Sequence, residues 1–336
     1  MQDRVGISDF QRRKIMLRKR RLAVFFLLLL VLLTSCSQSK DYNKITAEEF
    51  LWQGFSWASY DSNGLVFDKG AIFIPLQFDN SDATYWLQLD TGISSSPLYE
   101  NSFNSISPRP SFESIYGFLG LNKKMLMNVK IGNYQIENFL CNIKNDFGSV
   151  IDNSSNQNQI GSLGLDFFKN KILLLDFPNK RFAIATSDMQ LPESITEKVT
   201  YHKAELVNNF FVFDLKIDTQ TYKFGYDTGA SGFPLVVNYD LWKKLTGKVG
   251  NEPDITLINA PSWGKTLTLI GSSTKEDVFL SEKSLGSLEM FYIKEEPNFF
   301  ETARIDGLIS NASFYEDSLI IIDLIDMRFG VVKTVE

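Results

Sequence analysis

Histidine is almost absent from this chain of 336 residues, and cysteine nearly so: there is one of the first and two of the second. A Ser-His-Asp or Cys-His relay needs an imidazole base. The only candidate, His202, lies in the polar run Tyr201-His202-Lys203 with no nucleophile motif beside it, which is the setting of an ordinary surface histidine. A zinc site needs a cluster of Cys and His, so no metal is expected. Glycine-rich phosphate loops of P-loop or dinucleotide-binding spacing are also missing, and no organic cofactor is expected. No apolar run reaches the roughly 20 residues needed to span a bilayer. If the chain is an enzyme, carboxylates must do the chemistry.

The longest apolar run, Leu22 to Leu33, is 12 residues and follows a basic stretch that includes Arg18, Lys19, Arg20 and Arg21. A basic segment followed by a short apolar core is the layout of a secretory signal. It ends in Leu33-Thr34-Ser35-Cys36, small residues just ahead of a cysteine, which resembles the lipobox of bacterial lipoproteins. Residues 1–35 are therefore read as a lipoprotein signal peptide and Cys36 as the lipidated residue, with an ordinary secretion signal as the alternative. A lipid at Cys36 anchors the protein on a membrane without spanning it, which implies the bacterial cell envelope outside the cytoplasm. Beyond residue 35 the chain keeps 26 basic and 38 acidic residues, a net charge of −12. That sign argues against nucleic acid as a partner. With Cys36 lipidated, Cys141 has no cysteine left to pair with.

What the chain does have is an internal repeat. A strand pattern from Ala71 to Phe78, a polar turn and a second strand from Thr84 to Leu89 lead into Asp90-Thr91-Gly92. In the second half Phe210 to Ile217, a polar turn and Thr221 to Tyr226 lead into Asp227-Thr228-Gly229. Each half closes alike. Ile160-Gly161-Ser162-Leu163-Gly164 precedes the run Ile172 to Asp176 and Arg181-Phe182, and Ile305-Asp306-Gly307-Leu308-Ile309 precedes Ser318 to Asp323 and Arg328-Phe329. Strand patterns rich in Val, Ile, Phe and Tyr dominate both halves, with Tyr239 to Leu245 the best candidate for a short helix. The polar stretch Thr186 to Thr200 reads as the linker, which divides the chain into residues 36–190, holding the Asp90 loop, and 191–336, holding the Asp227 loop.

Two Asp-Thr-Gly tripeptides, each behind a hairpin and each followed by a hydrophobic-Gly segment, resemble the pepsin-like aspartic peptidases, and each half resembles a retropepsin subunit. The resemblance covers the chain from about residue 45. It implies a mainly β, bilobed acid-protease fold of two retropepsin-like β-barrel lobes with a cleft between them. It further implies that Asp90 and Asp227 form a catalytic pair, that Gly92 and Gly229 turn the loops, and that Thr91 and Thr228 brace the loops against each other. Family members cover the cleft with a hairpin flap carrying a tyrosine, and Tyr116 in Ile115-Tyr116-Gly117-Phe118-Leu119-Gly120 is the candidate here. The implied activity is that of an aspartic endopeptidase acting as a monomer on a peptide or protein substrate, with membrane contact only through the N-terminal lipid.

The match departs from the pattern in three places. Pepsins place Ser or Thr after Asp-Thr-Gly, retroviral enzymes Ala; this chain has Ile93 and Ala230. The second hydrophobic-Gly element reads Gly307-Leu308-Ile309-Ser310, without the glycine that Gly164 supplies in the first half. A non-catalytic lipoprotein that uses the same cleft to hold an extended peptide or glycan is the alternative these departures leave open, and a two-carboxylate glycosidase is a more remote one. Loss of hydroxyl donors to the pair predicts raised carboxylate pKa values and a mildly acidic to near-neutral pH optimum.

Overall fold

The computed structural model describes residues 41–46, 49–62, 64–116, 123–152, 158–315 and 318–333. Residues 42–336 form one compact unit. The signal segment and Cys36 lie outside the described residues.

Alternation sets the first hairpin. In Thr84–Leu89, Tyr85, Leu87 and Leu89 point inward while their neighbours stay open to solvent, the period-2 signature of a half-buried strand. This strand pairs antiparallel with Leu65–Phe78 and parallel with Gln159–Leu163. Gln159–Leu163 in turn lies antiparallel to Pro97–Tyr99, which runs parallel to Tyr134–Lys144. Tyr134–Lys144 pairs with Lys123–Ile131, and that strand returns to Leu65–Phe78 through Leu76 opposite Ile131. Six strands thus close into a barrel.

The second half repeats this order strand for strand. Phe210–Ile217, Gln220–Asp227, Gly307–Ser310, Leu235–Val237, Glu289–Ile293 and Lys265–Ser273 follow one another, with the same parallel and antiparallel senses. Here the short strand Val278–Leu280 pairs with the far end of Phe210–Ile217, at Lys216 and Ile217. The helix Tyr239–Thr246 packs beside this sheet, started by the Asn238 side chain and ended by Gly247 in the left-handed conformation.

The halves interlock through the strands that close each repeat. Ile172–Asp176 runs antiparallel to Ser318–Asp323, Leu173 facing Ile322 and Leu175 facing Ile320. Arg181–Ala185 and Gln53–Gly54 extend this ladder on one side, Arg328–Lys333 and Val199–Val207 on the other. The repeat carries its charges with it: Arg181 Nε lies 2.7 Å from the buried Asp176 carboxylate, and an Arg328 guanidinium nitrogen lies 2.7 Å from the buried Asp323 carboxylate. Burying a carboxylate is expensive unless it is paired and hydrogen-bonded, and both pairs meet that condition at matching places.

Two sequence expectations need correcting. His202 is not a surface residue. It is buried on Val199–Val207, with its Nδ1 2.8 Å from the Ser281 hydroxyl. The stretch read as linker holds a helical turn, Glu193–Thr196, and Val199 and Thr200 already belong to a strand.

Candidate active site

Each Asp-Thr-Gly loop is held by the closing strand of its own half. The Asp90 N–H donates to the Leu163 carbonyl at 3.0 Å. Asp227 sits opposite Ser310 in a parallel ladder. Gly164 and Ser310 therefore occupy equivalent positions, and the structure explains the difference between them. A Cβ on Gly164 would stand 2.5 Å from the Ser95 carbonyl oxygen, so only glycine fits there. At Ser310 the chain leaves room for a side chain, and the hydroxyl donates to the Phe233 carbonyl at 2.7 Å.

The two loops are tied to each other by four buried hydrogen bonds. The Thr91 N–H donates to Thr228 Oγ1 (2.9 Å) and the Thr228 N–H to Thr91 Oγ1 (3.0 Å). Each hydroxyl then donates into the opposite half, Thr91 Oγ1 to the Tyr226 carbonyl (2.9 Å) and Thr228 Oγ1 to the Leu89 carbonyl (3.0 Å). Threonine supplies one donor and one acceptor in a rigid, branched side chain, which is what a reciprocal clasp requires.

This clasp brings the carboxyls together. A Cβ on Gly92 would stand 2.6 Å from Asp227 Cγ, and one on Gly229 would stand 2.5 Å from Asp90 Oδ1. Each glycine thus faces the opposite carboxyl, and each also donates its N–H to its own: Gly92 to Asp90 Oδ1 at 3.1 Å, Gly229 to Asp227 Oδ1 at 2.7 Å. The two carboxyls therefore lie close enough for each to influence the other's protonation.

Their environments are unequal. Burial, followed by the adjacent Asp227 charge, pushes the Asp90 pKa well above the usual carboxylate range, and the single N–H from Gly92 offsets little of this. Burial raises Asp227 as well, but the N–H groups of Gly229, Ala230 and Gly92 and the Asp90 carboxyl all favour its charged form. Burial raises both members, so the pair favours keeping one proton between them. The unequal contacts follow from the residues after each tripeptide: the Ala230 N–H reaches the Asp227 side chain, whereas the Ile93 N–H bonds to the main-chain carbonyl of Asp90 at 3.4 Å.

Several supporting residues carry no motif. Asn311 accepts the Tyr226 hydroxyl at 2.6 Å and donates to Ser231 Oγ at 2.6 Å, and Ser231 Oγ donates to the Thr228 carbonyl at 2.7 Å. This buried network braces the Asp227 loop from behind. In the first half Ser94 is exposed at the equivalent place, and Ser96 braces the loop instead, donating to Asp166 at 2.7 Å and accepting the Gly164 N–H at 3.0 Å. The missing glycine at position 310 was the one visible sign that the second loop is held differently.

A cavity of about 430 Å³ opens beside the Asp90 loop, lined by Gly92, Ile93 and Ser94 from the first half and by Asn208, Phe210 and Trp263 from the second. That size is ordinary for a ligand pocket. The flap candidate Tyr116 ends the strand Glu113–Tyr116, which pairs with Lys123–Ile131. Its side chain and residues 117–122, including the rest of the expected flap, lie outside the described residues.

No protein-family model and no curated protein matches the sequence. Among solved structures, an aspartic proteinase from Irpex lacteus is similar over 85% of this chain and 97% of its own, with a TM-score of 0.48 and 12% identity. The basic 7S globulin from soybean is similar over 85% of this chain and 94% of its own, with a TM-score of 0.45 and 9% identity. The duplicated strand order and the two clasped loops define the fold on their own terms. It is a mainly β, bilobed, pepsin-like acid-protease fold.

Proposed function

We propose that this protein hydrolyses peptide bonds with a water molecule activated by Asp90 and Asp227. The observation that carries the reading is the closely apposed carboxyl pair, each carboxyl set against the glycine of the opposite loop by the Thr91–Thr228 clasp. Two adjacent buried carboxyls cannot both ionise cheaply, so one proton is retained over a pH window set by the pair's two macroscopic constants.

In that state the charged member takes a proton from the water as the water oxygen attacks the amide carbon, and the protonated member gives its proton to the carbonyl oxygen. A tetrahedral gem-diol results. Its collapse breaks the C–N bond: the member that took a proton passes it to the leaving nitrogen, and the other recovers one from a hydroxyl. Water is consumed, the pair returns to its starting state and no covalent intermediate forms. The clasp at Thr91 and Thr228 keeps the carboxyls in register through both steps, which is the positioning that proximity catalysis requires.

The reading includes an N-terminal lipid at Cys36 that holds the catalytic part at the bacterial envelope. Among the described residues no helix is long and apolar enough to cross a membrane, and a Cys36→Ser chain is expected to leave the detergent phase on partition. The activity is tested by incubating the protein with a diverse peptide library from pH 3 to 8 and mapping products by mass spectrometry. Hydrolysis blocked by a statine-type transition-state analogue is the expected result. No cleavage at any pH would remove the peptidase reading.

A further inference from the structure

The duplicated fold makes the two sides of the carboxyl pair comparable, and they differ. Phe210–Ile217 corresponds to Ala71–Phe78 by its register with the strand that leads into the tripeptide. In the second half Val207 and Phe210 are paired and joined by Asn208 and Asn209, both at positive φ, a tight two-residue turn. This turn lines the open cavity beside Gly92. In the first half the equivalent hairpin continues past Ala58 and Ala71 to Ser62 and Leu65, and its strand Leu65–Phe78 is 14 residues long against 8 for Phe210–Ile217.

The extra length reaches across to the second half and packs over the segment that follows Asp227-Thr228-Gly229. Tyr60 and Phe67 stack with ring centroids 4.7 Å apart, and Phe67 lies 5.8 Å from Phe233. A Cβ on Gly232 would stand 3.1 Å from the Phe67 ring. The Asn259 N–H donates to Ser62 Oγ at 2.8 Å, and the Tyr315 hydroxyl joins the Lys69 carbonyl (2.6 Å) to the Ser231 carbonyl. The Tyr60 hydroxyl is buried there with no hydrogen-bond partner among the described residues. Where one side of the pair has a cavity, the other has an aromatic plug fastened at three points.

We infer that the extended hairpin closes the cleft on the Asp227 side, so that the enzyme cuts peptides close to one chain end and does not cut within long chains. This rests on the peptidase reading above and narrows it. Gly232 is only three positions beyond Gly229 and the chain between them is coiled in a 3-10 turn, so the plug sits within one turn of the pair and leaves little room on that side. Among the described residues the buried Tyr60 hydroxyl has no hydrogen-bond partner, which leaves it to meet a terminal amine or carboxylate.

The test uses three statine-centred peptides, with five residues on the N-terminal side only, on the C-terminal side only, or on both. Binding is measured by calorimetry to the wild type and to a chain in which residues 59–70 are replaced by Asn-Gly, so that a two-residue turn joins Ala58 to Ala71. The Tyr60→Ala/Phe67→Ala double variant removes the plug without changing the backbone and covers a failure of the shortened chain to fold. The wild type is expected to bind one of the one-sided peptides and to bind the two-sided peptide at least tenfold more weakly. The altered hairpin is expected to bind the two-sided peptide as tightly as the better one-sided one. A wild type that binds the two-sided peptide at least as tightly overturns the inference and leaves the peptidase reading standing. Failure of all three peptides to bind overturns that reading, and the inference with it.

Discussion

Gly92→Ala is the substitution whose effect the structure determines most closely. Gly92 is not among the residues at positive φ, so alanine meets no backbone penalty there. The cost is purely one of contact: the new Cβ would lie 2.6 Å from Cγ, 2.6 Å from Oδ1 and 2.7 Å from Oδ2 of Asp227. Favourable contact between such atoms begins near 3.5 Å, so the carboxylate or the loop must yield by roughly 0.8–0.9 Å. A misplacement of about 1 Å in a catalytic array costs on the order of 10²-fold in rate. We expect kcat/KM for peptide hydrolysis to fall by about that factor, mainly through kcat, in a chain that still folds. Gly54→Ala is the control, because nothing lies within 4 Å of its added Cβ, and its activity should stay within about twofold of wild type. A folded Gly92→Ala protein that keeps wild-type kcat would show that the Asp227 position does not limit the reaction.

Thr91→Val preserves shape and removes the hydroxyl, stranding the Tyr226 carbonyl and the Thr228 N–H in a buried site. A loss of about 2–6 kcal/mol in urea unfolding is expected for two such groups, and a loss under 0.5 kcal/mol would argue against the clasp. Asp90 has a raised pKa in the folded state, so its contribution to stability is fully present below about pH 3.9, the unfolded value, and is lost as pH rises through the folded value. Asp90→Asn cannot ionise, so its Tm relative to wild type should climb as pH rises from 4 toward 8; a difference independent of pH contradicts the assignment. A hydroxyl donor beside either carboxyl lowers its pKa. Ala230→Thr and Ile93→Ser should therefore each move the acid limb of kcat/KM down. Limbs that stay put in both variants would mean that other groups set the pair's constants.

The barrels and the carboxyl pair were legible in the sequence because duplication turns weak local signals into a repeated one. Asp-Thr-Gly alone ends many strands, whereas two copies at matching places in two like series of strands define the loops, their clasp and the strands that close each half. The unequal N–H contacts of the Asp90 and Asp227 loops were not legible. They depend on which loop N–H reaches a side chain, a matter of ångströms between the Ile93 and Ala230 loops. The brace at Tyr226, Ser231 and Asn311 was hidden for a related reason: its members are scattered over 86 positions and meet only through a parallel ladder. Residues 65–70 were missed as strand because Leu65-Val66-Phe67 followed by Asp68-Lys69 shows no alternation of apolar and polar residues. Their partner is the opposite half, which no local pattern can reveal. His202 went astray likewise, its polar neighbours masking an inward-facing position beside Ser281.

The most direct test of the central claim is kcat/KM on one cleavable peptide for Asp90→Asn, Asp227→Asn and the double variant. Because the two carboxyls are held to act as one proton-sharing unit, each single change should abolish hydrolysis nearly as fully as both together, with no further loss in the double variant. Substantial activity in either single variant, or losses that simply multiply, would contradict the account.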